Sequence, residues 1–172
     1  MKRSDLNTSE FHPYYKTYIE TLPDQDLIII LEDLKTEFIN FLKGLNEENL
    51  KHSYALGKWT VGQVLQHIID TERIFQYRAL TIAREDLTPI SGFDQDAYVP
   101  ASKADRRSLE SFIREFESVR NSGIALFGSF EEDMSNRIGK ANKSKLSPRA
   151  AGFISAGHQK HHLLLFKSHY GL

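Results

Sequence analysis

The stretch KWTVGQVLQHIIDTERIF, residues 58–75, carries the clearest local signal in the chain. Thr60 and Gln63 stand at the T-x-x-Q spacing of a capping box, and Trp59 and Val64 occupy the two positions of a hydrophobic staple. A helix starts here. No proline interrupts it before Pro89, so it is expected to run to about Arg84. It carries His67, whose helical neighbours Val64, Thr71 and Ile74 place it at the margin of the apolar face.

Three further helices flank this one. Pro23, Asp24 and Asp26 suit a helix N-terminus. Leu27, Leu31, Leu34, Phe38, Phe41 and Leu45 then recur at spacings of four and three, which is one apolar stripe ending near Gly44. A third helix is predicted over about 103–130, with Leu109, Phe112, Ile113, Phe116 and Phe127 on its buried side. Ser147 as N-cap and Pro148 at the first position open a fourth, running to about Ser168.

Between the second and third helices lies EDLTPISGFDQDAYVPASKA, residues 85–104, with no regular period. A connection this long is uncommon in a compact domain and often functional, and it lets the chain cross the end of a bundle. No strand or internal repeat is evident. The expected fold is all-α: a single domain over residues 1–172, a four-helix bundle with a long crossover between helices 2 and 3. Residues 1–22 read as irregular, yet they hold Phe11, Tyr14, Tyr15, Tyr18 and Ile19. They are expected to pack across a groove on the bundle.

Composition narrows the function classes. The 172 residues have a net charge of −1, 40% hydrophobic and 26% charged content, and no cysteine. Without a basic surplus, general nucleic-acid binding is not expected. Disulfides, thiolate metal sites and a cysteine nucleophile are excluded. The longest apolar run, LIIIL at 27–31, is too short to span a membrane. The polar start MKRSDLNTSEFHPYY does not read as a secretory signal. Together these predict a cytoplasmic protein with a small-molecule substrate and no nucleic-acid or membrane partner.

Three of the seven histidines fall within GHQKHHLLLF, residues 157–166. On a helix, His158 can share a face with His162 four residues on or with His161 three residues on. The apolar positions do not choose between them, because His161 and His162 lie on either side of the line from Ile154 to Leu165. His67 is the candidate third ligand from the second helix. Three neutral imidazoles with an open position form a catalytic-type site for Zn²⁺, Ni²⁺ or a similar divalent ion. The alternative is three ordinary boundary histidines. His12, His52 and His169 read as surface or terminal residues.

KWTVGQVLQHIIDTE, GFDQDAYV, EFESVR and AGHQKHHL, in this order and spacing, resemble the DinB-like (DinB/YfiT-like) family of metal-binding four-helix bundles over about residues 14–170. The resemblance implies a bundle with a crossover between its second and third helices. It implies a metal held by one histidine of the second helix and an H-x-x-x-H pair of the fourth, here His67, His158 and His162. It also implies one of two activities. The first is transfer of a low-molecular-weight thiol cosubstrate to an electrophile, the metal lowering the thiol's pKa. The second is hydrolysis through a metal-bound water. A non-enzymatic metal-binding or interaction bundle is the third reading, and a homodimer is compatible with the family.

Around this centre, Asp70 lies one turn from His67, and Glu72 falls within the apolar arc of the same helix. Glu72 could orient a ligating imidazole, act as general base, or pair with Arg73, Arg78 or Arg120. Asp94, Asp96 and Tyr98 in the crossover could bind substrate at the metal mouth. Alternatively, the aspartates cap local turns while Phe93 and Tyr98 pin the loop. Gln63 is accounted for by capping. Gln159 and Lys160 point away from the face of His158.

Overall fold

The computed structural model describes residues 1–86 and 88–172; position 87, inside the expected crossover, lies outside the described residues. The elements are α1 (Lys16–Ile19), α2 (Leu27–Lys43), α3 (Val61–Ala83), α4 (Gln95–Ala101), α5 (Leu109–Gly128), α6 (Glu132–Asn136), β1 (Gly139–Ala141), β2 (Ser144–Leu146) and α7 (Pro148–Leu165). The four long helices α2, α3, α5 and α7 form the bundle, with α3 packed most extensively on α7.

Local chemistry sets the helix starts. The Asp26 carboxylate accepts from the Ile28 N–H at 2.9 Å and opens α2. At α3 the capping box is complete. Gln63 N–H donates to Thr60 Oγ1 at 3.2 Å, and Thr60 N–H donates to Gln63 Oε1 at 2.9 Å. Ser147 Oγ accepts from the Ala150 N–H at 3.0 Å, and Pro148 follows in the first turn of α7. Beyond Leu165 the backbone widens into one π-turn, Phe166–Tyr170.

Three expectations need correction. The third long helix starts at Leu109 rather than near 103, because Lys103 takes a left-handed conformation (φ 53°) and Ser108 supplies the cap. The crossover is not wholly irregular: Asp94 caps α4, which tolerates Pro100 close to its end. A strand pair does exist. β1 and β2 pair antiparallel around Asn142 and Lys143, both at positive φ (48° and 65°), as a tight hairpin turn requires. Three-residue strands are too short to show an alternating pattern.

The first 22 residues form three single 3₁₀ turns and then α1, bound across the bundle. Glu10 anchors this strap. Its carboxylate accepts from Ser147 Oγ–H at 2.7 Å and Arg149 Nε–H at 2.8 Å, and its carbonyl accepts from the Ser147 N–H at 3.1 Å.

The core has two apolar halves. One gathers Leu27, Leu31, Phe75, Phe127 and Phe153; the other gathers Phe38, Leu65, Phe112, Phe116 and Phe166. Between them, at mid-height, every long helix except α2 contributes buried polar side chains: His67, Glu72 and Gln76 from α3, Arg120 from α5, and His158, Gln159 and His162 from α7. Burying so many polar groups in one layer is costly unless they pair or bind something. No described helix is long and apolar enough to cross a membrane.

Candidate metal centre

Three imidazoles in the polar layer converge on one point. His67 Nε2 lies 3.0 Å from His158 Nε2, and His162 Nε2 lies 3.1 Å from His158 Nε2. All three residues are buried. The capping box at Thr60 fixes the phase of α3, and seven residues on, His67 faces α7. On α7 the spacing of four brings His162 to the same face as His158. His161 is half-buried and its ring turns instead toward Tyr18, with centroids 5.0 Å apart. The pairing that spacing left open is thus His158 with His162.

The donor set fits a divalent ion. Nitrogen–metal bonds of about 2.0–2.1 Å put adjacent ligand nitrogens about 2.9 Å apart at right angles and about 3.3 Å apart in a tetrahedron. The two Nε2–Nε2 separations, 3.0 and 3.1 Å, fall between these values. A neutral imidazole has one lone pair and one N–H, so these Nε2 atoms either share a proton in a hydrogen bond or, with each N–H on Nδ1, turn three lone pairs onto one cation. Burial also keeps the rings in their ligating form. It lowers the His67 pKa to about 4, and it takes His158 and His162 well below the ordinary histidine value, with the neighbouring imidazoles adding to the effect. On the far side of His67, Nδ1 lies 3.4 Å from Thr71 Oγ1.

The cluster opens onto a cavity of about 170 Å³. Trp59 and Thr71 form one side, and its ring sits 5.1 Å from that of His67 in the case of Trp59. The strap supplies the cover: Tyr14, Tyr15 and Tyr18 all line the cavity. The Tyr18 ring lies 5.6 Å from the His158 ring, and its hydroxyl is 2.9 Å from that of Tyr14. Burial, with the Tyr14 hydrogen bond, pushes the Tyr18 pKa above the usual phenol range, so this hydroxyl stays protonated.

The carboxylates singled out from the sequence are occupied elsewhere. Glu72 is held by Arg120 in a buried bidentate pair, with Nε donating at 2.7 Å and Nη2 at 2.8 Å. Its place on the apolar arc of α3 is explained by that partner on α5, and neither an imidazole contact nor a general-base position is found. Asp70 accepts from Gln66 at 2.9 Å and neighbours Arg73 at 3.8 Å; burial raises its pKa, but it does not line the cavity.

In the crossover, Asp94 caps α4 by accepting from the Asp96 and Ala97 N–H groups. Asp96 is exposed, and Tyr98 is exposed with its ring 5.5 Å from Phe93. None of these three lines the cavity. Their neighbours Phe93 and Gln95 do. The segment reaches the cavity through Phe93 and Gln95 rather than through the three residues named from the sequence. The tyrosines of the strap carried the one signal that could have found them: aromatics crowded into an otherwise polar segment.

Comparison with known proteins places the chain. The sequence pattern of the DinB superfamily matches residues 30–166. The chain belongs to the DinB superfamily. A Bacillus cereus (strain AH820) relative, named as a candidate metal-dependent hydrolase, is 27% identical over 135 residues, which is 77% of this chain and 76% of that one. A similarly named Bacillus mycoides (strain KBAB4) relative is 25% identical over 152 residues, 85% of this chain and 86% of that one.

Among solved structures, YfiT from Bacillus subtilis is described as a probable metal-dependent hydrolase with an unusual four-helix bundle topology. It superposes with a TM-score of 0.71 at 19% identity, over 80% of this chain and 79% of that one. A mycothiol-dependent maleylpyruvate isomerase superposes at 0.69 with 9% identity, over 85% of this chain and 61% of that one. These two likenesses establish the bundle fold of this DinB superfamily member.

Proposed function

We infer that this chain is a metal-dependent enzyme in which His67, His158 and His162 hold one divalent ion, zinc or nickel, beside a small-molecule cavity. The observation that carries this is the convergence of three buried Nε2 atoms at the wall of that cavity. Such an ion supplies Lewis acidity at its open position, lowering the pKa of a thiol or water that coordinates there.

The nucleophile that the cavity suits best is a low-molecular-weight thiol supplied as a cosubstrate. No carboxylate among the described residues lines the cavity, and Glu72 is committed to Arg120. A thiolate attacks directly and needs no general base at the moment of attack. Its sulfur forms a bond to an electrophilic carbon, the leaving group departs with the bonding pair, and the thiol proton goes to solvent. The residues around it then have definite tasks. Thr71 accepts the Nδ1 proton of His67 and fixes its tautomer. The protonated Tyr18 hydroxyl is a donor for charge developing on the electrophile. The aromatic wall of Tyr15, Trp59, Phe75 and Phe93 holds apolar substrate surface and limits water.

Hydrolysis is the second reading, favoured by the names of the Bacillus relatives. The test is turnover by metal-loaded protein of an alkylating electrophile with and without small thiols, beside an activated ester. Turnover only when thiol is present, abolished by chelator, supports transfer. Ester turnover without thiol, abolished by chelator, selects hydrolysis. Protein that takes up neither zinc nor nickel overturns both.

A further inference from the structure

A second cavity, about 380 Å³, adjoins the one at the histidines. The two share Tyr14, Tyr15 and Phe75 as a common wall. The new cavity is bounded on its outer side by the β1–β2 hairpin through Asn142, Ser144 and Lys145. The hairpin is fixed there: Asn142 N–H donates to the Ile90 carbonyl at 3.0 Å, and a Cβ on Gly139 would fall 2.5 Å from Ile82 on α3.

Arg78 of α3 lines this cavity and is only 3% exposed. Among the described residues it has no carboxylate partner. Its Nη2 donates to the Ser91 carbonyl at 3.3 Å, its Nε–H is buried without an acceptor, and the Tyr15 phenol stands beside it. The contrast with Arg120 is direct. Arg120 is equally buried, and it has both oxygens of Glu72 and the Leu31 carbonyl. An arginine cannot shed its proton to escape burial, and a buried charge is costly unless it is matched. Among the described residues no acidic side chain lines the cavity, while exposed Lys145 adds a second positive charge at its rim.

We propose that Arg78 is the anion-binding end of the substrate site, receiving a carboxylate or phosphate group of the small molecule whose reactive end lies at the three histidines. The planar guanidinium matches either group in a bidentate way. This rests on the histidine cluster being the reactive centre. His67, Thr71, Phe75 and Arg78 follow one another at helical spacings of four, four and three. Eleven residues of helix separate the two ends by about 16 Å of rise. The guanidinium leans back over Phe75, 5.2 Å from its ring centroid, which shortens the span. The substrate, or the thiol, is therefore an extended molecule with one anionic terminus.

The test is calorimetric titration of chelator-treated protein with inorganic phosphate and, separately, with glutarate. Wild type and His67→Ala are expected to bind at least one of the two alike, since the anion site does not need the metal. Arg78→Met is expected to weaken binding by at least tenfold, Arg78→Lys to retain part of it, and Lys145→Glu, on the exposed rim, to weaken it severalfold without affecting folding. The anion bound more tightly identifies the terminal group. Wild type binding neither anion overturns the proposal, as does binding unchanged in folded Arg78→Met; if that variant does not fold, binding unchanged in both Arg78→Lys and Lys145→Glu does so. If anion binding follows this pattern while no metal is taken up, the reading of the histidines fails and the Arg78 site stands.

Discussion

Gly157 lies so close beneath Tyr18 that a Cβ built on it would fall 2.4 Å from the Tyr18 carbonyl oxygen and 2.6 Å from its carbonyl carbon. Neither atom can move without moving the strap. The missing side chain lets α1 settle onto α7 at the residue next to His158, and so sets the height of the tyrosine cover. Gly157→Ala is expected to cost about 1–3 kcal/mol through overpacking and to lift Tyr18 from the site. Thermal unfolding should show a melting point lowered by several degrees, and chelator should strip bound metal faster than from wild type.

Metal content separates the histidines. His67→Ala, His158→Ala and His162→Ala should each weaken metal retention by more than about tenfold, a loss at least as large as that from removing an outer partner. His161→Ala should retain the wild-type content, since its ring faces Tyr18. Elemental analysis of protein loaded with zinc or nickel and then dialysed decides it. Full retention in any of the first three removes that residue from the ligand set.

The Glu72–Arg120 pair is expected to act on stability alone. Removing one partner leaves a buried charge unmatched, at a cost of about 3–5 kcal/mol. Glu72→Leu and Arg120→Met should each lower the urea midpoint sharply, and the double variant should be less damaged than either single one. Metal content should stay at the wild-type level in all that fold. A selective loss of metal in Glu72→Gln, with stability kept, would instead give this carboxylate a part in the centre.

Acid should destabilise the metal-free protein earlier than its carboxylates alone require. Below about pH 6.5 an unfolded chain protonates its imidazoles, while burial keeps His67 neutral to about 4 and holds His158 and His162 well below the ordinary histidine value. The unfolded state then binds more protons, so stability is complete above 6.5 and falls as pH falls toward 4. Each ring contributes at most about 1.4 kcal/mol per pH unit. Urea midpoints of chelator-treated protein between pH 7.5 and 5 should show this slope, and His67→Gln should flatten it.

The bundle was legible because its helix ends are written in adjacent residues. Thr60 with Gln63, Asp26, and Ser147 with Pro148 act within one turn, and their meaning needs no knowledge of the rest of the fold. The hairpin and α4 were not legible, since elements of three to seven residues cannot display a period. The site was legible in part for the same reason. His158 sees His161 and His162 at equally good helical spacings, and only the rotation of α7 against α3 and the strap separates them. The role of Glu72 depended on Arg120, 48 residues away on another helix. In the crossover, Asp94 is taken up by capping a short helix, and the residues that line the cavity are its two neighbours, Phe93 and Gln95. Arg78 offered no signal at all, because the lack of a partner is a property of the folded surroundings.

The indole of Trp59 is the only one in the chain, and it stands 5.1 Å from the His67 ring on the cavity wall. The molecule thus carries a single optical probe at its own centre. Filling the space between the imidazoles changes the charge and polarity felt by one chromophore, with no other tryptophan to dilute the response. Occupancy, and the arrival of ligands beside it, can be read from the emission of unlabelled protein.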